Sequence, residues 1–139
     1  MDFLTGGLNV SLGNSNFGET ILIAGVEHLS GDGLSETSYF FGAESMFDQF
    51  TLGAQYSSTA ALFDADSIEV YGIYHPTEAL DVTASYLSIE PSGSSTIVTY
   101  GIDAQYTFAQ GVFVQAGLVH QEVSSYTDDA FTASLGIDF

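Results

Sequence analysis

The chain has 139 residues, 18 acids, no lysine, arginine or cysteine, and a net charge of −18. The length suits a single domain over 1–139. The missing thiols exclude disulfides and thiolate metal sites, and the missing cations exclude a nucleic-acid partner, because phosphate binding works through cationic side chains that displace counterions. No apolar run approaches the ~20 residues of a membrane-spanning helix; the longest cluster, Ile21 to Val26, is strand-sized. Neither a positive n-region nor an apolar h-region follows Met1, so the expectation is an exported chain, mature or partial, without its signal peptide.

Taken in chain order, the elements share alternation with period two, the pattern of strands with two different faces. Segment 4–12 is Gly-rich, with Leu8, Val10 and Leu12 against Gly7, Asn9 and Ser11. Segment 20–29 is apolar on both faces and does not assign itself. Segment 37–47 sets Tyr39, Phe41, Ala43 and Phe47 against Ser38, Gly42 and Glu44, with Phe40 and Met46 breaking the polar face. Segment 49–56 sets Phe50, Leu52, Ala54 and Tyr56 against Gln49, Thr51, Gly53 and Gln55. Segment 67–75 is noisier, with Ile68, Val70, Gly72 and Tyr74 against Glu69, Tyr71, Ile73 and His75. Segment 80–86 alternates Leu80, Val82, Ala84 and Tyr86 with Asp81, Thr83 and Ser85. Segment 98–108 continues with Val98, Tyr100, Ile102, Ala104, Tyr106 and Phe108 against Thr99, Asp103 and Gln105. Segment 112–122 follows, and 131–139 places Phe131, Ala133, Leu135, Ile137 and Phe139 on one side.

Turn chemistry separates these segments, as at Asn14 to Gly18, Ser30 to Gly33, His75 to Glu78 and Pro91 to Ser94. Neighbouring strands are therefore antiparallel. The best helical stretch, 59–63, is too short to stand alone. Residues 22–28 and 114–120 echo each other, which a repeated hairpin explains without a shared function.

A soluble sandwich usually carries Lys and Glu on its polar face. Here that face is Thr, Ser, Gly, Gln and Asp, as in a barrel lumen. Strands of roughly 9–11 residues suit a tilted membrane strand. Tyr56, Tyr74, Tyr86, Tyr106, Phe108 and Phe139 fall where a barrel places its interfacial aromatic girdle.

The stretch from Phe131 to Phe139 resembles the assembly signal of bacterial outer-membrane proteins, which ends in an aromatic residue preceded by alternating apolar ones. Residues 68–74, 80–86 and 100–106 resemble the C-terminal half of Gram-negative porins of the acidic alphaproteobacterial kind. The resemblance implies an all-β, antiparallel, up-and-down transmembrane β-barrel, outer-membrane lipid and the barrel-assembly machinery as partners, and passive diffusion of small solutes. Two departures stand beside it: porins have about 16–18 strands, and their arginine cluster has no counterpart in a chain without arginine. The segments number about nine, whereas single-chain bacterial barrels are even-numbered. The expectation is thus about eight wall strands with segment 4–12 outside the wall, or nine to ten with a missing strand, or a sheet shared by several copies.

Glu44, Asp81, Asp103 and Asp138 are the lumen-facing candidates and would make an open lumen prefer cations. Asp32, Asp64, Asp66, Asp128 and Asp129 are candidates for Ca2+ as hard-oxygen loops, against the plainer reading of hydrated acidic turns. His28, His75 and His120 read as girdle or loop histidines rather than a metal site. No segment brings serine, histidine and acid together as a hydrolase needs, so the expected role is non-enzymatic. The alternative is a secreted or surface-assembled β-sheet structural or filament subunit, joined through sheet edges.

Overall fold

The alternating segments form strands with short connections between them. The structure, a computed structural model, describes residues 2–15, 18–31, 34–60, 64–108 and 111–137. It is all-β: β1 (Asp2–Ser15), β2 (Gly18–Gly31), β3 (Leu34–Phe47), β4 (Phe50–Ala60), β5 (Ala65–Thr77), β6 (Leu80–Pro91), β7 (Ile97–Thr107), β8 (Val112–Val123) and β9 (Tyr126–Ile137). They make one nine-stranded antiparallel sheet in simple up-and-down order.

Of the strand counts that the sequence allows, about eight or nine to ten, the sheet has nine, and segment 4–12 does not lie outside it: it is the body of a strand that pairs with β2 along most of its length. The sheet is open: β1 and β9 are its two edges. Because nine is odd, β1 and β9 run in the same direction. The stretch at 59–63 is not helical where it is described, since Thr59 and Ala60 belong to β4.

Register resolves the ambiguous segment. Leu22 pairs with Val10 and with Ala43, which sets the even residues of β2 on the apolar face. Ile21 and Ile23 then fall on the polar face, opposite Glu44 and Gly42. One row runs through Val10, Leu22, Ala43, Ala54, Val70, Tyr86, Tyr100, His120 and Asp129. It enters β1 past its middle and leaves β9 in its first third, so the strands are staggered.

The sheet is a single layer. Among the described residues no hydrophobic side chain is buried, and Leu8, Phe41, Ile102, Leu118, Phe131 and Leu135 are exposed. The accessible surface is 9532 Å², against about 6,900 Å² for a compact monomer of this mass.

Candidate functional site

The two faces offer different chemistry. On the polar face, glycines let neighbouring strands accept large side chains. A Cβ added to Gly25, Gly53 or Gly136 would collide with the ring of Phe40, Tyr71 or Phe113 respectively, each the direct cross-strand partner. The rings thus lie over the glycines. Phe40, which breaks the sequence pattern, fits the polar face because Gly25 has no side chain.

Glu44, Asp81 and Asp103 all lie on this face, and each is held. Glu44 accepts a hydrogen bond from the Tyr71 hydroxyl. Asp103 accepts from Gln115 Nε2 at 2.8 Å. Asp81 Oδ1 lies 2.6 Å from His75 Nδ1, and His75 Nε2 lies 3.1 Å from Thr51 Oγ1. Asp138 lies outside the described residues.

The last trio was not visible in the sequence, where its members span 51–81. Adjacency of β4, β5 and β6 near the short turns at 48–49 and 78–79 brings them together. Its hydroxyl–imidazole–carboxylate order is that of a hydrolytic triad. The hydroxyl, however, belongs to a residue only 5% exposed, on a strand paired along both sides. The trio ties three neighbouring strands together by hydrogen bonds.

The apolar face carries two aromatic rows. Toward the edge holding the turn at 124–125 lie Phe41–Tyr56, Tyr86–Tyr100 and Tyr100–His120, with ring centroids 5.2, 5.4 and 6.1 Å apart. Toward the opposite edge lie Phe47–Phe50, Phe50–Tyr74 and Tyr106–Phe108, at 6.1, 4.9 and 5.0 Å. Tyr56, Tyr74, Tyr86 and Tyr106 thus fall in these rows, although Tyr86 sits mid-strand in β6. Phe139 lies outside the described residues. The rows are six residues apart in β3, β4 and β7, at Phe41/Phe47, Tyr56/Phe50 and Tyr100/Tyr106. That is ~20 Å along an untilted strand. Between them lie Ala54, Val70, Ala84, Ile102, Ala116 and Leu118.

Beyond the first row the same face carries polar groups beside Tyr39 and Val98. The Tyr56 hydroxyl donates to Asp66 at 3.0 Å, and His28 Nδ1 meets Thr37 Oγ1 at 2.9 Å. His120 contacts Asp129 at 2.6 Å and Glu122 at 3.1 Å. His75, expected in an aromatic row or a loop, lies instead in β5 on the polar face with Asp81. The three histidines stand on β2, β5 and β8 and share no site.

Of the calcium candidates, Asp64 and Asp66 lie at the β4–β5 connection, while Asp128 and Asp129 alternate between the faces of β9. Asp32 lies outside the described residues. Among the described residues no group of three His, Asp or Glu side chains is placed to hold a metal ion. No family model matches the chain, and no curated protein or solved structure matches it significantly.

Proposed function

We propose that the sheet is the wall of a β-barrel in a bacterial outer membrane, and that its polar face lines a porin-like path for passive diffusion of small solutes, cations preferred. The carrying observation is the division of one single-layer sheet into two faces. One is an apolar band with aromatic rows on both sides; the other is polar and carries hydrogen-bonded carboxylates. Water would leave the apolar band uncovered, at about 25 cal/mol per Å² of apolar surface; lipid covers it. The polar face suits water and ions, and a one-signed lumen concentrates counterions. The row spacing supports a membrane band, although the wall of known outer-membrane barrels is ~25 Å tall and tilt shortens the projected height. Tyr39 of β3 and Phe108, just past the end of β7, extend the apolar stretch outward by two residues. The reading is non-enzymatic, with lipid and the barrel-assembly machinery as partners.

A second reading, a secreted or surface-assembled β-sheet subunit, draws on the two open edges, which are templates for strand addition. Planar bilayers separate the two. Purified in detergent and added to a bilayer under a potassium chloride gradient, the chain should give stepwise conductance with a cation-selective reversal potential. Replacing Glu44, Asp81 and Asp103 together by the matching amides should shift that potential toward the non-selective value. A chain that stays monodisperse without detergent and never conducts would refute the membrane reading.

A further inference from the structure

We propose that two copies of this chain close one eighteen-stranded barrel, with β9 of each copy pairing in parallel with β1 of the other. The proposal rests on the membrane-barrel reading and names the partner that completes it.

The edges supply the first reason. β1 has 14 residues and β9 has 12. Neither contains proline or lysine, and no charge occurs from Phe3 to Ser15 or from Ala130 to Ile137. Edges that face water are normally blunted by such residues. In hydrocarbon an unpaired edge is untenable, because every backbone N–H and C=O must find a partner.

The acids supply the second reason, and they exclude closure of the sheet on itself. The alternation that sets Glu44, Asp81 and Asp103 on the polar face sets Glu27, Glu69 and Asp128 there too. The interior of a barrel of about eight strands is just filled by side chains and excludes bulk water. Six or more carboxylates in a chain without lysine or arginine, of which Asp81 alone faces an imidazole among the described residues, could not be enclosed there, since buried charge without a countercharge is prohibitively costly. Sixteen to eighteen strands leave an aqueous channel, in which these groups stay hydrated.

Parity supplies the third. β1 and β9 run in the same direction, so two copies with the same orientation meet β9 to β1 at both seams and keep their apolar faces outward. This head-to-tail contact closes if the curvature completes a ring in two copies and otherwise grows as a filament.

The test uses the chain's freedom from cysteine. Val10→Cys is made in one tagged copy and Ala133→Cys in a second copy with a different tag; both sites are exposed on the apolar face. The copies are refolded together in detergent and treated with a short thiol cross-linker that tolerates a register offset. The expected product is a hetero-tagged dimer, and the unsubstituted protein should show twice the 14.7 kDa chain mass after correction for detergent. A chain carrying both cysteines that cross-links only to itself would show nine-strand closure and overturn the proposal. A ladder beyond the dimer would show a filament and overturn it equally, as would a protein mass of one chain with no cross-link. Bilayer conductance by a protein of one-chain mass would remove the dimer and leave the membrane reading standing; a dimer that neither inserts nor conducts would do the reverse.

Discussion

A ring laid over a glycine recurs on the polar face, at Phe40 over Gly25, Tyr71 over Gly53 and Phe113 over Gly136. The pairing covers backbone that glycine would leave bare and fixes the ring's direction, the same device as aromatic rescue in designed sheets. At Tyr71 it also aims a hydroxyl at Glu44. Gly53→Val should therefore force the Tyr71 ring off its platform and cost about 1–3 kcal/mol through overpacking, read from urea unfolding in detergent. Tyr71→Ala in the same chain should recover part of that loss, because the two residues share one space and their effects are coupled. Simple additivity of the two substitutions would show that the ring does not depend on the glycine.

At the scale of the strand, the register assigns each residue of β7 to a face. Tyr100 and Ile102 project from the apolar side, while Thr99 and Asp103 lie on the side of Gln121 and Gly117. Single cysteines at 100 and 102, in protein reconstituted into vesicles, should resist a water-soluble maleimide, and those at 99 and 103 should react. The reverse pattern would mean a register slipped by one residue, which turns every side chain over. This alternation was legible in the sequence because the polar positions of β7 are unmistakably polar. β2 was not legible, because Ile21 and Ile23 stand on the polar face along with Gly25, whose bare backbone carries the ring of Phe40 from β3, so both faces read as apolar. The Thr51–His75–Asp81 clamp was also hidden. Its signal exists only after the turns at 48–49 and 78–79 are fixed and the register is counted across three strands. The nine segments were legible too; the pull toward eight came from evenness, which is a property of closed barrels, whereas the sheet of this chain is open.

Across the whole molecule, 18 acids meet no permanent side-chain cation, and the sheet sets some of them face to face. Asp66 and Glu90 are direct cross-strand partners, an arrangement of like charges that destabilises a sheet. At the equivalent rim of β8 and β9, His120 stands opposite Asp129 and beside Glu122, so a protonated imidazole can offset those two acids. Asp66 has the Tyr56 hydroxyl as a donor, which softens the repulsion without cancelling the charge. Stability should therefore rise with salt, because exposed charges are screened over a Debye length of about 10 Å at 0.1 M. Glu90→Gln should raise the melting temperature at low salt by about 1–3 °C and should flatten its salt dependence. Asp66 itself is the poorer choice for this test, since its removal also takes the acceptor from Tyr56. Scanning calorimetry in detergent reads both effects. Equal melting of parent and variant at low salt would show that Asp66 and Glu90 do not repel.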